Sequence, residues 1–126
     1  MALADLGILI VDDHEPTRTL LLKVLNRAGV EDVRAAHNGG EALIHMAEAI
    51  PDLVLVDQTM PGMDGVTFIR HVRRDANFNS VRIIMITGRA EPAHAEAARA
   101  AGADALLVKP VSPGELLVTI ERVIGA

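Results

Sequence analysis

The sequence predicts an α/β fold: an open parallel sheet with helices on both faces. Three observations carry that expectation. Five short apolar runs recur along the chain, each of strand length, and the intervals between them place apolar residues at helical spacing. With 126 residues, 50% of them hydrophobic, the chain suits one compact domain with a sizeable core. Runs that stay apolar without period-two alternation are what strands buried on both faces show in a parallel sheet.

Taken in order, Gly7 to Val11 is the first run. Pro16 to Ala28 follows as a helix, with Leu21, Val24, Leu25 and Ala28 on one face and Gly29 positioned to close it through a positive φ. Val33 to Ala36 is the second run, and Gly40 to Ile50 the second helix, carrying Leu43, Met46, Ala47 and Ile50 toward the sheet before Pro51. Leu53 to Val56 is the third run, followed by a helix over Gly65 to Arg74 that buries Phe68, Ile69 and Val72. Arg82 to Ile86 is the fourth. Between Ala90 and Ala105 nine of sixteen residues are Ala, which favours helix but offers little side chain to bury, so this helix should be weakly held. Ala105 to Val108 is the fifth run. The last helix opens with Ser112, Pro113 and Glu115, a capping box with Pro at its first position, and buries Leu116, Leu117, Ile120, Val123 and Ile124. Five alternations of strand and helix imply right-handed crossovers and a flavodoxin-like, doubly wound sheet of five strands and five helices in the order 2-1-3-4-5. Ligands in such sheets bind beyond the carboxyl ends of the strands, here between strands one and three.

Composition removes several function classes. Twelve Lys plus Arg against seventeen Asp plus Glu give a net charge of −5, and the basic residues do not cluster, so nucleic acid is not an expected partner. Zero Cys excludes a disulfide framework, a thiolate zinc site and a cysteine nucleophile. No apolar run approaches the roughly 20 residues a membrane helix needs. Met1 to Gly7 carries no basic segment ahead of a long apolar one, so a cytoplasmic protein without membrane contact is expected. Phe68 and Phe78 are the sole aromatic residues, too few for a base-stacking platform.

Chemistry gathers at the strand ends. Asp12 and Asp13 follow strand one and Asp57 follows strand three, so three carboxylates converge on one crevice. Two charges about 4 Å apart repel by roughly 4 kcal/mol at an effective dielectric near 20, so such a trio calls for a cation or shifted pKa values. Oxygen ligands favour a hard ion, and magnesium, which keeps waters and engages phosphate oxygens, suits it. Capping of the first helix is the simpler explanation for Asp12 or Asp13 alone, and Asp57 across the crevice argues against it. Thr87-Gly88 and Lys109-Pro110 end strands four and five, adding a hydroxyl and an ammonium to the same edge. Each has an ordinary structural explanation singly, but together they form a set suited to phosphoryl transfer. Met60 to Gly65 reads as a turn in which Asp64 caps the third helix. His14, His37, His45, His71 and His94 show no paired metal-ligand spacing and are not expected to bind metal.

With these residues the chain resembles the receiver domain of bacterial two-component response regulators over about Leu6 to Ile124. Ile8-Leu9-Ile10-Val11-Asp12-Asp13 is similar to that family's first strand and acidic pair. Asp57-Gln58-Thr59-Met60-Pro61-Gly62-Met63-Asp64-Gly65 is similar to its phosphoacceptor strand end and loop, and Thr87-Gly88 and Lys109-Pro110 complete the set. The resemblance implies that Asp57 accepts a phosphoryl group from a phosphohistidine. It implies that Asp13, Asp57 and the Thr59 carbonyl hold Mg2+ directly and Asp12 through water, and that Lys109, Thr87 and the Gly88 N–H contact the phosphoryl oxygens. It also implies a cis peptide between Lys109 and Pro110. A sensor histidine kinase or histidine phosphotransfer protein would be the donor and a further protein the target. The expected state is a monomer or a weak dimer formed on phosphorylation.

Thr59 and Arg89 occupy positions that flank the phosphoryl group in that family. A long cationic Arg89 lying over the phosphoryl oxygens would hinder water and lengthen the phosphorylated lifetime. Leu106, three residues before Lys109, replaces a residue usually aromatic, so a ring swing linked to Thr87 gives way to a smaller rotamer change. The Ala-rich segment from Gly88 to Ala101 is then expected to carry the signal. The chain stops after the last helix, so a stand-alone receiver domain over 1–126 without an output domain is expected, not an enzyme beyond catalysing its own phosphoryl transfer and dephosphorylation. A magnesium-dependent phosphatase that forms an aspartyl phosphate is the alternative, weakened because Thr59 stands where such an enzyme has a second carboxylate. A flavin protein of similar topology is weakened by the negative charge of Asp12-Asp13-His14-Glu15 beside any cofactor phosphate.

Overall fold

The computed structural model describes residues 2–88 and 91–125. In chain order the elements are β1 (Gly7–Val11), α1 (Glu15–Arg27), β2 (Asp32–Ala36), α2 (Gly39–Glu48), β3 (Leu53–Asp57), α3 (Gly65–Arg74), β4 (Arg82–Thr87), α4 (Pro92–Ala101), β5 (Ala105–Val108) and α5 (Pro113–Ile124). Short 3-10 turns cover Leu3–Asp5 and Ala76–Phe78. All strand pairs are parallel, in the order β2-β1-β3-β4-β5, as the alternation of strand and helix predicts. Among the described residues no helix is long and apolar enough to cross a membrane.

The pleat divides the core into two layers. Ile8, Ile10, Leu53, Leu55, Ile84, Ile86 and Leu107 face α1 and α5, meeting Leu21, Leu25, Leu116 and Ile120. Leu9, Val11, Val54, Val56, Ile83 and Met85 face the other way, against Ala42 and Met46 of α2, Phe68, Ile69 and Val72 of α3, and Ala98 and Ala101 of α4. β1, β3 and β4 are therefore covered on both sides, which explains their unbroken apolar sequences. The register sets Val11 beside Val56, Asp57 beside Ile86 and Thr87 beside Val108, so the carboxyl ends form one nearly level rim.

Several boundaries differ from the sequence reading. β2 is the edge strand and starts at Asp32; Arg34 in its middle is half-buried and donates to the carbonyls of His45 and Ala49, closing the end of α2. An edge strand has no second neighbour to demand continuous apolarity, so this run is polar where the sheet interior is not. α2 ends at Glu48, leaving Ala47 and Ile50 exposed; Ala42 and Met46 form its buried face, with Leu43 beside them. β3 and β4 each extend one residue further, so Asp57 and Thr87 belong to the strands. α1 closes and α5 opens as expected, Gly29 taking φ +97° and the Ser112 hydroxyl accepting from the Glu115 N–H at 3.1 Å.

α4 is shorter than its Ala-rich segment and is held unevenly. Ala98 and Ala101 are its buried residues, and Gly102 at φ +117° ends it. Arg73 of α3 fastens that end. Its guanidinium donates to the carbonyls of Gly102 (3.0 Å), Val81 (2.8 Å) and Phe78 (3.3 Å) and to Asp104 (3.1 Å), while Asp104 also accepts from the Ile83 N–H at 2.8 Å. Four partners on three segments make Arg73 the clamp of the sheet's amino-terminal edge. Arg73→Ala leaves half-buried carbonyls without a donor and should lower the unfolding free energy by about 2 kcal/mol in urea titrations. Arg73→Lys should recover little of it, because an ammonium cannot reproduce the planar fork.

Candidate functional site

The rim brings the carboxylates together. Asp12 lies just past β1 and Asp57 closes β3; both are buried, at 2% and 5% exposure, while Asp13 faces solvent. One carboxylate oxygen from each of the three falls within 4.8 Å of the others. Asp12 is fixed by its surroundings: its N–H donates to the Ala36 carbonyl at 3.1 Å, and its Oδ1 accepts from the His14 N–H at 2.8 Å. Arg18 of α1 donates to its carbonyl at 2.6 Å. His14, not either aspartate, occupies the cap position of α1, so capping does not account for the acidic pair.

Lys109 supplies the opposite charge. Its Nζ lies 3.0 Å from Asp57 Oδ1 and 3.9 Å from Asp12 Oδ2, and its N–H donates to the Thr87 carbonyl at 2.7 Å, tying the ends of β4 and β5. The Lys109–Pro110 peptide is cis. Thr87 is buried at 1% exposure on the pleat shared with Ile83 and Met85. Gly88 is exposed, and a methyl group there would meet nothing within 4 Å, so the approach is open.

Burial raises the Asp12 pKa above its usual 3.8. The His14 N–H opposes that shift, the Asp57 charge adds to it, Lys109 lowers it and Asp13 raises it again. A divalent cation answers this surplus of negative charge, and the all-oxygen donor set fits a hard one. The side chains placed to hold one are Asp12, Asp13 and Asp57.

Thr59 sits in the loop after β3, its side chain exposed. Gly65 starts α3 so close to β3 that a Cβ would lie 2.8 Å from the Asp57 carbonyl oxygen and 2.9 Å from Gln58 Cα. Gln58 bonds to that helix with both its backbone and its side chain. Asp64 caps α3 as expected, accepting from the Thr67 N–H at 2.8 Å. A glycine directly after the capping aspartate was the available signal for the close approach; nothing marked Gln58.

Leu106 does not reach the rim. It pairs with Met85, packs on the α3 and α4 side of the sheet, and lines a cavity of about 80 Å3 with Ala95, Ala98, Arg99, Ala103, Asp104 and Ala105. Arg89 lies outside the described residues. His37 and His45 flank Glu41, at 2.8 and 3.9 Å; His94 faces Glu91, and His71 is exposed.

Comparison with known proteins agrees with this geometry. The pattern of the family described as response regulator receiver domain matches residues 8–121. Chemotaxis protein CheY1 of Helicobacter pylori is 36% identical over 119 residues, covering 94% of this chain and 96% of that protein. The phosphate regulon transcriptional regulatory protein PhoB of Escherichia coli is 34% identical over 116 residues; the match spans 92% of this chain and 50% of PhoB, about half its length. Among solved structures, Vibrio cholerae chemotaxis protein CheY4 superposes with a TM-score of 0.89 at 36% identity, covering 94% of this chain and 98% of that one.

The raised Asp12 pKa has a consequence for stability. The folded chain binds this proton more tightly than the unfolded chain, so stability falls as pH rises from 3.8 to the raised value and stays lower above it. Asp12→Asn, which keeps an acceptor for the His14 N–H, should therefore raise the Tm of the metal-free protein near neutral pH. The gain should vanish below pH 3.8. Added Mg2+ should stabilise the native protein more than the variant. Thermal unfolding in chelator and in Mg2+ reads both effects, and an unchanged or lower Tm for the variant at neutral pH would contradict the assignment.

Proposed function

The chain belongs to the response regulator receiver domain family, and on that premise we propose that it is a magnesium-dependent switch operated by phosphorylation of Asp57. One observation supports this reading above the others: Lys109 Nζ stands 3.0 Å from Asp57 Oδ1 while Asp12 and Asp13 complete a carboxylate trio around it. An Asp57 oxygen attacks phosphorus, an O–P bond forms as the N–P bond of a phosphohistidine breaks, and the donor imidazole leaves with the electron pair. Lys109 balances charge on the phosphoryl oxygens, and the Thr87 hydroxyl and Gly88 N–H donate to them. Mg2+ held by Asp12, Asp13, Asp57 and the Thr59 carbonyl supplies further charge neutralisation. Slow loss of the phosphoryl group to water at the same residues resets the switch.

A phosphatase reading is not favoured: Thr59 stands two residues after the nucleophile, where such an enzyme carries its acid/base carboxylate. The donor is a histidine kinase or phosphotransfer protein. An apolar groove lined by Leu20, Leu21, Ile86, Pro110 and Val111 borders Lys109 and gives such a protein a surface beside the site.

The output runs through α4. Moving a two-state equilibrium from 1:99 to 99:1 takes about 5.5 kcal/mol, and charge-assisted bonds from Thr87 and Lys109 supply a large part of it. α4 is fastened at Gly102 by Arg73, whereas Glu91 at its start makes no side-chain cap. A pull on Thr87 therefore swings the start of α4 about its fixed end, and Leu106 turns in the space beneath it.

Acetyl phosphate with Mg2+ should label one residue, Asp57, and Asp57→Asn should abolish labelling. Mapping of the acid-labile phosphate to Asp12, Asp13 or a histidine would overturn the assignment. Beryllofluoride, an aspartyl-phosphate mimic, should change amide exchange in the first half of α4 and leave Ala101 and Gly102 unaltered. Changes confined to residues 57–65 would place the output surface in the loop after β3 instead.

A further inference from the structure

Resting on that reading, we propose that Gln58 is a positioning residue for the metal and phosphoryl site, its side chain bracing the loop that carries the Thr59 carbonyl. The backbone of Gln58 already spans two elements: its N–H donates to the Ile86 carbonyl of β4 at 3.0 Å, and its carbonyl accepts from the Gly65 N–H at 2.9 Å. Any residue type at this position would make those bonds. The side chain adds what others would not. Its Oε1 accepts from the Val66 N–H at 2.9 Å, and its Nε2 faces Asp64 Oδ2 at 3.5 Å. Two successive N–H groups of the first turn of α3 thus end on one residue, the neighbour of the phosphoacceptor.

The other side of Thr59 is anchored as well. Met60 is buried in the core at 7% exposure, and Met63 packs where Gly39 leaves room for it, a Cβ there lying 2.6 Å from its sulfur. Thr59 is therefore a single residue suspended between two fixed ones. Its side chain is exposed, so the position of its carbonyl depends on Gln58 and Met60 rather than on packing of its own. Capping does not require Gln58, because Asp64 already accepts from the Thr67 N–H at 2.8 Å. The extra bond from Gln58 fixes the distance between helix and strand end, and with it the loop.

The test separates positioning from stability by following Mg2+ titrations through amide NMR shifts at the rim. Gln58→Met keeps the length of the side chain without the amide and should weaken Mg2+ binding roughly tenfold, as loss of an outer-shell partner does. Gln58→Glu, combined with Asp64→Asn so that no carboxylate faces another across the 3.5 Å contact, retains an acceptor for Val66 and should recover most of the affinity. Asp75→Ala removes a cap of similar kind beyond the far end of α3, where Asp75 Oδ1 accepts from the Asn77 N–H at 2.9 Å. It should lower Tm without changing Mg2+ affinity, since it lies at the opposite end of α3 from the loop. Unchanged Mg2+ affinity in Gln58→Met, no recovery in Gln58→Glu, or an equal loss in Asp75→Ala would each overturn the proposal while leaving the phosphorylation reading in place. Absence of Mg2+ binding by the unaltered protein would overturn that reading itself, and this proposal with it.

Discussion

Holding Asp12 and Asp57 together, both nearly excluded from water, is the constraint on which the rest of the rim depends. Burial, joined by the neighbouring Asp57 charge, works against ionisation of Asp12 and holds its pKa above the usual value. Nothing about a folded chain favours this arrangement for stability alone. What makes it tolerable is a set of fixed donors: the His14 N–H on one Asp12 oxygen and the Lys109 ammonium between the two aspartates. The three carboxylates that remain grouped there are positioned to hold a cation. The same feature that lowers stability in the empty site thus supports function in the loaded one, a trade seen wherever strained or charged groups are retained at reactive centres.

A site of this kind works only if its parts cannot relax apart. The doubly covered sheet provides that rigidity, since β1, β3 and β4 are locked by neighbours on both edges and by core on both faces. Carboxylates placed at their ends inherit the stiffness of the strands. The loop after β3 is drawn in by the absence of a side chain at Gly65 and by the bonds of Gln58. Rigidity is concentrated on one side of the rim, around β1, β3 and α3. It falls away toward β5 and α4, where half-buried residues and small side chains replace the fully buried ones.

The sequence made much of this legible, for physical reasons that differ by element. β1, β3 and β4 were readable because burial on both faces demands unbroken apolarity, and Asp12, Asp13, Asp57, Thr87 and Lys109 were readable because each directly follows or closes such a run. β2 misled in its start and α2 in its end, because an edge strand and the helix covering it share their burial with solvent. Gln58 and Arg73 gave no signal. Their side-chain partners lie 5 to 31 residues away, and a pattern of apolar spacing carries no information about which polar side chain bridges two segments once they fold. Leu106 was readable as a departure from the family, but its place against a cavity beside α4 came only from the structure.

Under the proposed function, the uneven hold on α4 would decide how far a small event at Asp57 could travel. The helix buries Ala98 and Ala101 fully, and the methyl group of a buried alanine is worth only about 0.8 kcal/mol. Loosening the start of the helix, where the residues are partly or wholly exposed, costs less still. Against this, a hydrogen bond to a charged group contributes roughly 1.5 to 3 kcal/mol. One such bond gained at Thr87 therefore exceeds the packing that keeps the start of α4 in place, whereas it falls short of what Arg73 supplies at the other end through four hydrogen bonds. With a bulky aromatic residue in place of Leu106 the movement would be carried by a ring crossing the surface. With Leu106 beside a cavity of about 80 Å3, the helix itself has room to follow. Under the proposed function, a chain without Tyr or Trp would keep a route from phosphoryl group to surface by making the helix, rather than a single side chain, the moving part.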